Sequence, residues 1–267
     1  MIDLIKVGRR AVLLTGLLAF LSGQIPSGYY DNASGLDDNA LKSALNNIID
    51  GHTEFPYTSS GTDTWDILKI SDRDPNNSSN VITVYTQYSM NAALEYDGGD
   101  GWNREHVWAK SHGDFGTSTG TGTDIHNLKP ADVSINSAKS NLDFAGGGTV
   151  VTDNSPPSGY SGTTSSKSTS NSWEPPDGVK GDVARIMFYM ETRYEGENGE
   201  VDLELVNTYY TGNNEATHGI LDTLYAWHLR DPVDSFETNR NDVIYSYQAN
   251  RNPFIDDHDF ADFIDNF

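Results

Sequence analysis

Two dipeptides, Glu105-His106 and His126-Asn127, bracket a Gly/Thr/Ser-rich stretch in this 267-residue chain. Between them they offer a hard anionic oxygen, a neutral amide oxygen and imidazole nitrogens. Oxygen donors suit a hard cation such as Mg²⁺. An imidazole titrates at about 6.5 in free solution, so it can take a proton from water near neutral pH. A cation held by oxygen beside a base that activates water is equipment for hydrolysing a phosphodiester. An isolated histidine is more often structural, so the argument leans on the two dipeptides together and on the sequence around them.

These residues need elements to hold them. Trp102 to Trp108 reads as a strand running into a loop, and Ala131 to Asn141, with Val133, Ile135 and Ala138, reads as a short helix. Glu105 and Asn127 are 22 residues apart with loop composition between them. A hairpin with a long tip would bring them together. Leu41, Leu45, Ile48 and Ile49 recur at helical spacing, so Asp38 to Ile49 is an amphipathic helix closed by Gly51. Val81 to Tyr85 is β-branched and aromatic and reads as a strand. Asp182 to Tyr194, Gly219 to Leu229 and Phe236 to Ala249 are further helices. The fold class is α+β, mostly helices around a small antiparallel sheet. Residues 153–172 are dominated by Ser, Thr, Gly and Pro and read as a flexible surface loop within one domain.

The first 23 residues have the form of an export signal. Lys6, Arg9 and Arg10 precede an apolar run from Ala11 to Leu21, and the small residues Ser22 and Gly23 follow. That run is too short to span a bilayer comfortably. The expected organisation is a signal over residues 1–23 and a single catalytic domain over 24–267, secreted or periplasmic, with no membrane attachment after signal removal. An exported chain without cysteine must be stable without disulfides. The net charge of −22, from 17 basic and 39 acidic residues, argues against nucleic-acid binding when taken alone. Its distribution softens that objection, because residues 103–145 carry four cations against five carboxylates. A salt-rich habitat, in which surface carboxylates keep a protein hydrated, is the plain account of the acidity.

The pattern NREHVWAKS…DIHNLKP…SNLDF, with NRNPFID downstream, resembles the bacterial endonuclease I family of secreted or periplasmic nucleases, of the ββα-metal (His-Me finger) class. The likeness extends through residues 28–52, 180–194, 227–234 and 240–256. It implies a Mg²⁺-dependent, sequence-nonspecific endonuclease that cuts DNA, and RNA as a second substrate, to 5′-phosphate products, acting as a monomer. It assigns Glu105 and Asn127 as metal ligands and His106 as general base; Mn²⁺ or Ca²⁺ could replace Mg²⁺. The family usually places an arginine between base and ligand to steady the phosphate, and here Lys110 is the only cation in that interval. Lys110, Arg185 and Arg251 are therefore candidate substrate contacts. A non-catalytic exported module that binds nucleic acid or another ligand on the same fold is the alternative.

The remaining polar residues have simpler readings. His126 is expected to pack rather than ligate, and His112 to face solvent. A zinc site from His106, His112 and His126 lacks any recognised spacing. Asp72, Asp74 and Asn76 begin like a calcium loop, but its glycine and closing glutamate are missing, so a turn is expected. Asn136 and Asn141 are expected to cap or brace the helix after the motif, and the five tryptophans to lie in the core.

Overall fold

The computed structural model describes residues 25–153, 160–265 and 267; the expected signal over 1–23 lies outside them. In chain order the elements are α1 (Asp38–Ile49), α2 (Thr64–Ser71), β1 (Arg73–Asp74), β2 (Asn77–Ile82), β3 (Ser89–Asn91), β4 (Trp102–His106), β5 (Leu128–Asp132), α3 (Val133–Lys139), β6 (Asp143–Phe144), β7 (Thr149–Asp153), β8 (Gly162–Ser168) and β9 (Ser172–Glu174). There follow α4 (Lys180–Arg193), β10 (Glu204–Val206), β11 (Thr217–Gly219), α5 (Leu221–Arg230), α6 (Ser235–Gln248) and α7 (Pro253–Asp256). The α+β class holds, but among the described residues the strands form four small sheets rather than one. They are β1-β2-β3, the pair β4-β5, the pair β10-β11, and β6-β9-β8-β7. Two of the pairings, β10 with β11 and β6 with β9, are parallel.

Helix α4 is the organising element. It is buried along nearly its whole length and on every face, including Arg185, Glu191 and Arg193. A helix with no solvent face must neutralise its charges internally. It does so with Arg185 on Glu237, Lys42 on Glu191, and Arg193 on Glu200 and Asp50. The apolar side of α1 (Leu41, Leu45, Ile49) joins the same core as Val183, Met187 and Met190. Trp102, Trp108 and Trp173 are fully buried and Trp227 nearly so, as expected; Trp65 is only half-buried, lying edge-on to Trp102.

The hairpin that carries the motif is β4 paired antiparallel with β5, in register Glu105↔Lys129 and His106↔Leu128. Helix α3 follows β5 directly. The sequence suggested a helix from Ala131, but Ala131 and Asp132 still pair with β4. Asp132 is the hinge: its carboxylate accepts from the backbone N–H groups of Ser134 and Ile135 and starts α3. A second difference lies in the Ser/Thr-rich stretch. Residues 162–168 and 172–174 form β8 and β9, and Thr149–Asp153 forms β7, where a flexible loop was expected over 153–172. Threonine is β-branched and suits a pleated strand. Ser166 Oγ also ties β8 to the Tyr85 carbonyl, 81 residues away in sequence. Within the Asp72–Asn76 segment, Arg73 and Asp74 form β1 and Pro75-Asn76 makes the turn into β2, where the Asp74 carboxylate accepts from the Asn76 N–H.

Candidate active site

The hairpin, α3 and the loop after β4 enclose a cavity of about 460 Å³ whose wall includes Glu105, His106, Lys110, Asn136 and Asn141. Each side chain has a local cause for its position. Successive residues of β4 point to opposite faces, so Glu105 and His106 meet different supports.

Glu105 is buried. Its Oε1 accepts from the Tyr85 hydroxyl at 2.7 Å and lies 3.3 Å from the Lys139 ammonium. Burial raises its pKa, and Lys139 and then Tyr85 offset that rise. Both supports converge on Oε1, so Oε2 has no hydrogen-bond partner among the described residues. His106 is buried too. Its Nε2 lies 2.9 Å from the Gly122 carbonyl. A carbonyl can only accept, so Nε2 carries the proton and Nδ1 keeps the lone pair. Tyr57 stacks on the ring at 5.8 Å and Phe115 leans on it at 6.2 Å. Burial pulls the His106 pKa down to about 4, and the Gly122 contact offsets this in part.

Asn136, in the middle of α3, donates from Nδ2 to Asn103 Oδ1 at 2.7 Å. As placed, that bond leaves Asn136 Oδ1 without a partner among the described residues. The cavity therefore combines an uncommitted carboxylate oxygen, an uncommitted amide oxygen and an imidazole of defined tautomer. The oxygen pair fits a hard divalent cation.

Asn127 is placed elsewhere, against the expected ligand role. It is fully buried and off the cavity wall. Its Oδ1 accepts from the Trp108 N–H at 2.7 Å and its Nδ2 donates to the Trp108 carbonyl at 3.2 Å. With the Val107 N–H donating to the Asn127 carbonyl, these bonds extend the β4-β5 ladder past its last strand pair. Asn127 thus closes the base of the loop that returns Gly122 to His106.

Two of the three expected substrate cations are also elsewhere. Arg185 is wholly buried, bonded through Nε and Nη2 to both oxygens of Glu237 at 2.7 and 2.6 Å. Arg251 is buried and holds Asp256 and Asp242. Only Lys110 reaches the cavity, and it is exposed there. Replacing Arg185 with alanine should therefore act on stability rather than on chemistry. It leaves Glu237 buried without its partner, which costs about 3–5 kcal/mol. Chemical denaturation should show that loss, while kcat/KM per folded molecule stays near wild type; a selective fall in kcat/KM would return Arg185 to the site.

His112, His126 and His218 serve the scaffold. His112 is buried rather than solvent-facing, with Nδ1 2.8 Å from the Thr217 carbonyl and Nε2 2.9 Å from that of Asn141, and Tyr210 stacked on its ring. His112, Asp143 and His218 bring ligand atoms within 4.8 Å of one another. Both nitrogens of His112 face carbonyls, however, and both Asp143 oxygens accept backbone N–H groups, from Gly219 and Tyr210. This group is knitted into the scaffold. His126 packs on Tyr189 with Nε2 toward the Asn250 carbonyl, so the imidazoles of 106, 112 and 126 each meet a different backbone segment.

Residue type and spacing did not single out Tyr57, Tyr85 or Lys139, and they gave Asn136 only a bracing role. One signal was legible. With Asp132 as helix cap, Asn136, Lys139 and Ser140 fall at i, i+3 and i+4 and share the face that meets β4.

The chain matches the Endonuclease I family over residues 38–259. It is 51% identical over 236 residues to a protein of Bacillus subtilis (strain 168) named extracellular ribonuclease, covering 88% of this chain and 77% of that one. It is 52% identical over 238 residues to the extracellular ribonuclease of Bacillus amyloliquefaciens, covering 88% and 76%. With a hairpin, a helix and an oxygen-and-imidazole cavity inside the matched span, the chain belongs to the endonuclease I family.

Proposed function

We propose that this protein is a secreted, Mg²⁺-dependent, sequence-nonspecific endonuclease that hydrolyses phosphodiester bonds of RNA and DNA to 5′-phosphate products. The observation that carries the reading is the fixed tautomer of His106 beside an uncommitted oxygen of Glu105. The β4-β5-α3 unit acts as a ββα-metal finger. Glu105 and Asn136 would hold the cation, Asn136 taking the place expected for Asn127. When bound, the cation supplies Lewis-acid stabilisation of the charge that develops on the phosphoryl oxygens. His106 Nδ1 accepts the proton of the attacking water, and Nε2–H on Gly122 keeps the ring aimed. Lys110 binds the phosphate as a point charge, without the two-pronged geometry of an arginine. Contacts to the backbone rather than to base edges make cutting indifferent to sequence. The similar Bacillus proteins are named extracellular and named ribonucleases, which supports both export and RNA as a substrate for this chain. Among the described residues no helix is long and apolar enough to cross a membrane.

The test is cleavage of supercoiled plasmid and of single-stranded RNA, with Mg²⁺ and with EDTA, followed by analysis of product ends. Attack by water predicts cutting of both polymers, loss of activity with EDTA, and 5′-phosphate on every product. Cyclic 2′,3′-phosphate ends and intact plasmid would mean that the ribose hydroxyl is the nucleophile, and would overturn the mechanism.

The buried position of His106 also sets an acid limit. Protonation removes the base, so the rate falls as pH drops through the pKa of His106, about 4. With Mg²⁺ saturating, kcat/KM should be nearly level from pH 7 to pH 5. An unperturbed imidazole at about 6.5 would lose roughly twenty-fivefold over that range. An inflection near 6.5 in the pH–rate profile would show that the base is not this buried ring.

A further inference from the structure

The charge around the cavity is the reverse of the charge on the protein. The chain carries 39 acidic residues against 17 basic ones, yet Glu105 is the single carboxylate among the residues lining the cavity. Arg104 and Lys110 line the same wall. Arg104 is held in place by the Tyr57 carbonyl and Thr64 Oγ1 and lies between the Tyr57 and Trp65 rings, 3.4 and 4.0 Å from their centres. Lys139 adds a third cation immediately behind Glu105. Its side chain has no solvent exposure, and Nζ lies 3.3 Å from Glu105 Oε1 and 4.8 Å from the centre of the Phe144 ring. The contact with Glu105 is an ion pair; among the described residues the ammonium makes no hydrogen bond.

A buried ammonium with one anionic partner is confined to it, because desolvation penalises any position away from the carboxylate. Lys139 is the last residue of α3, so its backbone is also fixed. A dication entering beside Glu105 thus meets a carboxylate whose charge is already cancelled, with Arg104 and Lys110 nearby. Mg²⁺ sites built from one or two carboxylates rely on substrate phosphates for the remaining negative charge. Here that reliance is sharpened, since the protein's own contribution sums to a net positive wall.

We propose that Lys139 is a built-in countercharge that makes the Glu105–Asn136 pair a poor resting site for a divalent cation, so that the cation and the nucleic-acid phosphate bind as a pair. Lys139 is then a positioning residue that acts through Glu105: it holds Oε1 in place, leaves Oε2 to the cation, and couples the two ligands. The coupling must be reciprocal, because each ligand strengthens the other by the same factor. The inference rests on the assignment of Glu105 and Asn136 as the cation site.

The experiment is calorimetric titration of Mg²⁺ into the full chain carrying His106→Ala, which blocks cleavage and changes no charge while His106 is neutral. It is done alone and with a saturating short DNA duplex, after subtraction of the duplex's own Mg²⁺ binding. The expected result is at least about tenfold tighter Mg²⁺ binding in the complex, within the usual range of coupling between sites. Adding Lys139→Met should tighten Mg²⁺ binding to the protein alone by about tenfold and close most of the gap. Lys139→Gln, which keeps a polar donor there but carries no charge, should do the same, and Lys139→Arg should keep the gap open. Equal affinity with and without duplex, or folded Lys139→Gln protein with unchanged or weaker affinity, would overturn the proposal. Glu105→Ala separates it from the site assignment. If that variant binds Mg²⁺ as the parent does, the site itself is misplaced; if it loses binding while the Lys139 variants behave as their parent, only the countercharge idea fails.

Discussion

Alanine at position 106 is expected to reduce kcat/KM on both polymers by about 10²–10⁴-fold, the usual contribution of a positioned general base. The ring is buried between Tyr57 and Phe115, so the variant must first be shown to melt cooperatively. Its Mg²⁺ affinity, measured without nucleic acid, should match that of the wild-type chain, because the oxygens of Glu105 and Asn136 are untouched. This separation of rate from cation binding is the signature of a base. A loss smaller than tenfold would move proton abstraction to another group. A parallel loss of Mg²⁺ affinity would make His106 a ligand.

The second large effect is a contrast between two asparagines. Asn136→Ala removes an amide oxygen from the cavity wall, together with a half-buried bond to Asn103. It should weaken Mg²⁺ binding and activity together, in the manner of Glu105→Ala, with partial rescue by excess Mg²⁺ and little change in stability. Asn127→Ala should do the reverse. It strands a buried N–H and a buried carbonyl of Trp108, and each unsatisfied group costs about 1–3 kcal/mol. The chain should be destabilised by several kcal/mol, and activity should fall only as far as the loop that holds Gly122 loosens. Calorimetry and denaturation on the two variants decide the matter. Normal Mg²⁺ affinity in Asn136→Ala, with lost affinity in a stably folded Asn127→Ala, would restore Asn127 as the ligand.

What the sequence made legible was local. Leu41, Leu45 and Ile49 announced α1 because an amphipathic period needs no partner to be seen. The Glu105-His106 pair was legible because two adjacent chemical types on one strand are rare. What remained hidden depended on distant pairing. An amide suited to a hard cation occurs at 127 and at 136, and only the register of β4 against β5, with the Asp132 cap, shows which one faces the cavity. The roles of Arg185 and Arg251 were obscured for a related reason. In a chain so acidic, a basic residue within a recognisable motif has many carboxylates to choose from, and Glu237, 52 residues beyond Arg185, cannot be picked out from spacing. The Ser/Thr-rich stretch misled because composition alone does not distinguish a linker from a strand whose neighbour lies elsewhere in the chain.

The hydrogen bond from His106 to Gly122 has an evolutionary side. A histidine oriented by an aspartate can be disabled by one codon change at that partner. Here the acceptor is a main-chain carbonyl, present whatever residue is encoded, so the tautomer of the base has no partner side chain to lose. The vulnerability moves to shape. A Cβ at position 122 would fall 2.8 Å from the Gly116 carbonyl oxygen and 2.9 Å from the Thr117 Cα. Mutational drift through residues 113–123 is thus free to alter polarity and charge at exposed sites such as Ser118 and Thr119. It is barred where two strands of backbone cross with no room for a methyl group, and at that crossing the loop keeps its glycine as a steric rather than a chemical inheritance.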